Sequence, residues 1–127
     1  MENMHRCILC IGSNYRAETY MKMAEQLLSQ RFPYIRWGKM IKTLPENTTH
    51  PALYLNRAAQ VDTNWDVKTL REFLKDIEKA CGRTSTSKLT GIIPIDIDLL
   101  IIDGITLKPE DMKKHYVRQT LQALSSE

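Results

Sequence analysis

Two aspartates late in the chain have the residue type and the spacing needed to hold a divalent cation. Asp96 and Asp98 interrupt a run of branched apolar residues over 95–102, whose composition favours a β-strand. Alternate side chains on a strand point to the same face, so the two carboxylates should share one face. Paired carboxylates suit Mg²⁺, which proteins usually bind through one or two acids together with substrate phosphates. From the residues alone, a half-exposed strand with solvated acids explains the pattern equally well.

Length and composition restrict the class of protein. The chain has 127 residues, of which 43% are hydrophobic and 26% charged, so we expect a single globular domain over residues 1–127. A net charge of +3 does not indicate a nucleic-acid partner, and no apolar run has the length of a membrane span. The odd number of cysteines, three, indicates a reducing compartment, and we expect a cytoplasmic protein.

Cys7 and Cys10 form a CxxC pattern inside a strand-like segment. Positions three apart on a strand face opposite sides of the sheet, so the two thiols are not expected to share a metal ion or a disulfide. We therefore assign no metal or redox function to these cysteines.

Hydrophobic periodicity predicts the elements that position the two aspartates. The first half of the chain alternates strand-like and helical patterns, punctuated by prolines and polar loop residues. The predicted elements are a strand over 6–11, a helix over 17–31, a strand over 34–43, a loop over 44–52 and a strand over 53–62.

The second half begins with a helix from Val67 to Cys81, with Asp66 as N-cap and Gly82 as the left-handed residue at its end. A polar segment over 83–91 without periodicity follows, and a loop of this length is usually functional or mobile. The aspartate strand then leads through an Asp103-Gly104 turn to a short helix over 109–124.

The predicted order is β-α-β-β-α-β with an additional C-terminal helix. This order is typical of an α+β, ferredoxin-like split βαβ fold, in which two helices pack on one face of an antiparallel sheet. The other face must then be covered by loops or the C-terminal helix, or must hold a ligand. The fold by itself indicates no chemistry.

Five local motifs occur in one order between Gly12 and Asp98, and the resemblance that they carry runs from about residue 7 to residue 121. They are Gly12-Ser13-Asn14, Thr43-Leu44-Pro45, Tyr54-Leu55-Asn56, the Glu78 to Arg83 helix end and Asp96-Ile97-Asp98. Each motif is weak alone, but the set resembles the hydroxymethyl-dihydropterin pyrophosphokinases, folate-pathway enzymes that move a diphosphate from ATP to a pterin alcohol. That family also has the ferredoxin-like fold.

The resemblance implies a role for each matching residue. Asp96 and Asp98 correspond to the acids that hold Mg²⁺ ions on the ATP phosphates, and Asn56 to the amide that reads the pterin edge. Further implied residues are Thr43 and Tyr54 for the pterin, Glu78 and Arg83 for the nucleotide, and Arg83 also for catalysis. From the residues alone, Tyr54 is equally a core residue, and Glu78 with Arg83 equally a helix-end pair. The implied partners are ATP and the dihydropterin, bound by a monomer or weak homodimer.

The chain departs from the family pattern just before the acidic strand. Where the family carries further arginines and a tryptophan, residues 84–94 offer Lys88 as their only cation, and we assign it to nucleotide binding. A family histidine is replaced by Glu110, and Tyr116 is the predicted stacking ring for the pterin. Loss of arginines slows phosphoryl transfer strongly. We therefore expect a diphosphokinase of reduced or altered activity or, alternatively, an inactive relative that acts as a pterin-, nucleotide- or protein-binding module.

Overall fold

An antiparallel sheet of six strands forms the centre of the computed structural model, in which residues 4–44 and 53–125 are described. Helices flank the sheet on both faces. In chain order the elements are β1 (His5–Ser13), α1 (Ala17–Arg31), β2 (Arg36–Trp37), β3 (Ile41–Thr43), β4 (Tyr54–Thr63), α2 (Val67–Ala80), α3 (Ser87–Thr90), β5 (Asp96–Ile102), β6 (Ile105–Thr106), a 3₁₀ turn (Asp111–Lys113) and α4 (His115–Ser125).

The strand order confirms the predicted fold class. The order across the sheet is β2-β4-β1-β5-β6, with β3 also paired to β4, and every pair is antiparallel. Because β2 and β3 together occupy the place of one strand, the arrangement is that of a split βαβ unit with a small additional hairpin strand. Within the described ranges, no helix is long and apolar enough to cross a membrane.

The two faces of the sheet are covered by different helices. On one face, Leu9 of β1 packs with Leu28 of α1 and Leu74 of α2 in the main hydrophobic core. On the other face, Cys10 and residues of β5 pack against α4 in a smaller cluster. The C-terminal helix therefore covers part of this face, which is one of the alternatives that the sequence left open. Cys7 lies in the main core and Cys10 in the smaller cluster, so the two side chains face opposite sides of the sheet, as predicted.

The predicted second strand over 34–43 is wrong as a continuous element, because it is divided into β2 and β3 around Gly38. A Cβ atom at Gly38 would lie 2.8 Å from the Cα of Leu124 in α4. The strand thus breaks where the backbone of the terminal helix approaches the sheet, a contact that only glycine permits.

Strand β5 contains a bulge that the sequence pattern did not reveal. Leu9 pairs with Leu99, but Ile8 pairs with Ile101, so Leu100 is an extra residue on β5. Leu100 and Ile101 consequently both pack in the α4 cluster. Strict alternation of side chains between the two faces holds only before the bulge, in the part of β5 that contains the two aspartates.

The helix cap and the turns in the second half of the chain lie where the sequence predicts them. The side chain of Asp66 accepts a hydrogen bond of 2.8 Å from the backbone N–H of Thr69, so it caps α2 as predicted. Gly82 has φ +89° after the helix, and Asp103 and Gly104 have φ +50° and +80° in the β5–β6 turn. These are the left-handed conformations that a helix end and a tight hairpin require.

Two predictions for this half are wrong in extent. The segment over 83–91 contains a short helix, α3, which has too few residues to show a hydrophobic period. The C-terminal helix begins at His115 and not at 109, because Lys114 is extended (ψ 132°) between the 3₁₀ turn and α4.

Candidate active site

A charged cavity of about 570 Å³ lies along the outer edge of β5. Its walls come from α2, from β5 and from the segment that follows β6. The cationic lining residues are Arg71, Lys75, Arg83, Lys108 and Lys114, and the acidic ones are Glu78, Asp96, Asp98 and Asp111. The predicted acids therefore share one cavity with the predicted nucleotide-binding residues Glu78 and Arg83.

Arg83 joins the end of α2 to the first aspartate. Its Nη1 lies 2.6 Å from Oδ1 of Asp96 and 3.2 Å from Oε2 of Glu78. Burial opposes the charge of Arg83, but the hydrogen bond and the charge of Asp96 outweigh it and raise the pKa of Arg83. Glu78 Oε2 also accepts a hydrogen bond of 2.8 Å from the N–H of Ile97. Glu78 thus ties α2 to the edge of β5 and keeps the guanidinium beside the acid.

Asp98 is paired with Lys108, a residue that the sequence analysis missed. Lys108 Nζ lies 2.6 Å from Asp98 Oδ1. Burial and the neighbouring charge of Asp96 raise the pKa of Asp98 to about 6, although Lys108 acts in the opposite direction. Lys108 belongs to no motif. The one signal that could have placed it is the Asp103-Gly104 turn, which folds the following residues back along β5.

Asn56 lies at the centre of the same sheet face. It is 1% exposed, and its Nδ2 donates a hydrogen bond of 2.5 Å to Oγ1 of Thr43. Gly12 faces Asn56 across the β1–β4 pair, and a Cβ atom at Gly12 would lie 2.7 Å from Asn56 Oδ1. Gly12 continues β1 beyond the predicted strand over 6–11, and its missing side chain leaves room for the amide oxygen.

Tyr54 and Tyr116 meet on this face. Their ring centroids are 6.4 Å apart with an interplanar angle of 16°, so the two half-buried rings are nearly parallel. Burial raises the pKa of both phenols. The spacing of the sequence gave no reason for Tyr116 to approach the other predicted pterin residues, and the contact depends on the position of α4. The range 45–52, which includes Pro45 of the Thr-Leu-Pro motif, lies outside the described residues.

Asn14 of the Gly-Ser-Asn motif holds the segment that precedes β5. Its Oδ1 accepts a hydrogen bond of 2.7 Å from the N–H of Ile93, and its Nδ2 donates one of 2.6 Å to the carbonyl of Gly91. The backbone N–H of Asn14 also donates to the Ile93 carbonyl at 3.0 Å. The motif therefore anchors this segment to the end of β1. Lys88 lies in α3, but its side chain is outside the described part of the structure.

The donor set of the cavity fits a hard divalent cation only in part. Across residues 4–44 and 53–125, no group of three or more His, Cys, Asp or Glu side chains is arranged to hold a metal ion. Asp96 and Asp98 supply carboxylate oxygens, the ligand type that Mg²⁺ prefers, and Mg²⁺ commonly completes its shell with water and substrate phosphates. The pair thus suits an ion that arrives with a phosphorylated ligand.

The fold and this site define a ferredoxin-like α+β protein with a charged cavity, a buried amide and two stacked tyrosines on one sheet face. Residues 8–126 match the family model of the 7,8-dihydro-6-hydroxymethylpterin-pyrophosphokinases, and the chain belongs to this family. Its members are diphosphokinases of the folate pathway that use ATP and a dihydropterin. A search of curated proteins finds no significant match.

Proposed function

We propose that this protein catalyses the Mg²⁺-dependent transfer of diphosphate from ATP to the hydroxymethyl group of a dihydropterin. One observation carries the proposal. Gly12 pairs with Asn56 on one side and with Asp96 on the other, so the amide and the carboxylate flank a single side-chain-free position. A pterin bound at Asn56 would therefore extend across Gly12 towards the acids and their phosphate ligand.

Asp96 and Asp98 are the proposed ligands of the metal ions. When bound, Mg²⁺ neutralises the charge of the ATP phosphates and orients them for in-line transfer. Arg83 and Lys108 each lie 2.6 Å from one of these acids, so they also border the phosphate position. Their role is to bind phosphate oxygens and stabilise the charge of the transferred group.

Asn56 and Thr43 are the proposed readers of the pterin edge. The Thr43 hydroxyl accepts one N–H of the Asn56 amide, which fixes the orientation of the amide so that Oδ1 and the second N–H face the ligand. Tyr54 and Tyr116 offer nearly parallel rings for stacking on the flat pterin. The pterin hydroxyl then gives up its proton to solvent as its oxygen forms a bond to the β-phosphorus, the bond from this phosphorus to the oxygen that bridges to the α-phosphate breaks, and AMP leaves with that oxygen.

The cationic side chains of the cavity favour an active enzyme over an inactive relative that only binds its ligands. The case for an inactive relative is the shortage of cations in residues 84–94, where Lys88 is the only one. Five cationic side chains nevertheless line the cavity. They supply positive charge from α2, from Arg83 just beyond its end and from the segment after β6, so phosphate neutralisation does not depend on 84–94.

The test follows AMP formation chromatographically, with protein, Mg²⁺, ATP and 6-hydroxymethyl-7,8-dihydropterin. We expect AMP that depends on the pterin, and about a hundredfold or greater loss in Asp98→Asn, because an important electrostatic group is removed. Asp62→Asn is the matched control, since Asp62 pairs with Arg6 away from the cavity, and it should retain the full rate. Absence of AMP with folded wild-type protein, or AMP that forms without pterin, would refute the proposed reaction.

A further inference from the structure

Within residues 4–44 and 53–125, two of the cavity's cations have no carboxylate partner. Arg83, Lys108 and Lys114 form ion pairs with acids of the same cavity. Among the residues that the structure describes, Arg71 and Lys75 form no ion pair, although both line the cavity. Positive side chains that border a cavity without a protein partner provide binding energy for an anion from solution.

The helix that carries the two exposed cations is fixed relative to β5. Arg71 and Lys75 are four residues apart on α2, so their side chains lie one above the other on one helix face. Between them, Leu74 is 2% exposed and packs in the main core. One turn further, Glu78 accepts the N–H of Ile97. This face of α2 is therefore fixed along the edge of the strand.

The cavity extends around the edge of β5. Asp96 and Asp98 line it from one face of the strand, and Ile97 and Leu99 line it from the face that α2 covers. In the described part of the chain, β6 pairs with β5 only at Ile101 and Ile102, so the edge beside the acids carries no neighbouring strand. A ligand can thus contact the carboxylates and the α2 cations at the same time.

We propose that Arg71 and Lys75 form a second phosphate-binding subsite, which takes part of the polyphosphate chain of a nucleoside triphosphate. The proposal rests on the proposed function for the identity of the donor. The acids and their metal ions hold one part of the chain, and the α2 cations hold another part across the strand edge. Arg71 and Lys75 are positioning residues that replace the arginines absent from 84–94.

The test is calorimetric titration of the full-length protein with inorganic tripolyphosphate in the presence of Mg²⁺, with adenosine titrated separately. We expect Arg71→Gln and Lys75→Gln each to weaken tripolyphosphate binding by about tenfold, the usual effect of losing a charge-assisted hydrogen bond. Adenosine binding should not change. Lys68→Gln is the matched control, since Lys68 is an exposed cation of the same helix that does not line the cavity, and it should bind as wild type does.

Either of two results would overturn the subsite. One is tripolyphosphate binding that is unchanged in both variants. The other is a loss of adenosine affinity without a loss of tripolyphosphate affinity, which would place the cations against the base. In the AMP assay, the two variants should raise the KM for ATP more than they lower kcat. Tripolyphosphate binding that needs Arg71 and Lys75 in a protein that forms no AMP would support the subsite and refute only the proposed reaction.

Discussion

The two faces of the sheet show how one alternation of side chains separates stability from chemistry. Along β5, Ile97 and Leu99 pack in the main core beneath α1 and α2, while Asp96 and Asp98 point to the opposite face. The core face is held by apolar burial, whereas the other face has a smaller apolar cluster beneath α4 and, at its aspartate end, ion pairs and hydrogen bonds around a cavity. Adjacent residues of one strand therefore contribute to different properties. Substitutions on the core face should change stability, and substitutions on the cavity face should change activity.

The largest expected effect is the difference in the free energy of unfolding between two single variants at neighbouring positions of β5, Leu99→Ala and Asp98→Asn. Leu99→Ala should lower the free energy of unfolding by about 2–5 kcal/mol, because it removes buried methyl groups and leaves a cavity in the core. Asp98→Asn should not lower it at neutral pH. Burial and Asp96 raise the pKa of Asp98 to about 6, so ionising this carboxyl costs stability as the pH rises from its unfolded pKa to about 6, and the full cost is present at neutral pH.

Urea denaturation of both variants measures this difference. The cost of the Asp98 carboxylate appears as the pH rises from its unfolded pKa, about 3.9, through its folded pKa, so Asp98→Asn should equal wild type at low pH. A loss of stability in Asp98→Asn as large as that in Leu99→Ala would contradict the separation of the two faces.

A smaller effect is expected at Gly12, on the polar face. Gly12→Ala would place a Cβ atom 2.7 Å from Asn56 Oδ1, a distance that forces the amide to move. Because the buried Asn56 amide is the proposed partner of the pterin edge, the KM for the pterin should rise about tenfold. The KM for ATP should stay within about twofold. Ile11→Val, at the adjacent position but facing the main core, is the control and should leave both constants unchanged. Steady-state kinetics with each substrate varied in turn would expose a general folding defect as equal changes in both.

The smallest expected effect concerns the cap of α2, the helix that carries Glu78 to the cavity. The hydrogen bonds from Thr69 lower the pKa of Asp66, so its charge stabilises the fold above the unfolded pKa and this contribution is lost as the pH falls through the folded value. Asn caps a helix about as well without a charge. Asp66→Asn should therefore melt slightly below wild type at neutral pH and together with it at about pH 2, as followed by circular dichroism. A difference that persists in acid would contradict the charge effect.

Periodicity was sufficient to predict the fold class and the common face of the aspartates. Alternation over 95–99 and the helical spacing over 67–80 are local, and each shows directly in the sequence. The break at Gly38 and the stacking of Tyr54 on Tyr116 both depend on where α4 packs. Contacts of this kind depend on distant parts of the chain, and a local pattern carries no information about them.

The candidate site was predicted unevenly for the same reason. Motif resemblance led to Asn56 and Glu78, because their type and order are distinctive. It missed Lys108, whose place depends on the register of the β5–β6 hairpin. Arg71 and Lys75 were also missed, since exposed cations on an amphipathic helix usually belong to a solvated face.

The anchoring of Gly91 and Ile93 by Asn14 has a consequence for how the protein moves. Residues that are held in place by hydrogen bonds cannot take part in a movement, so any closure of residues 84–90 over the cavity must bend before Gly91. β5 and its two acids then remain stationary during the movement. Amide hydrogen exchange should show this as a boundary, with slow exchange at Ile93 and faster exchange at exposed amides of α3. The side chain of the buried Asn14 thus determines how many residues of this segment can move.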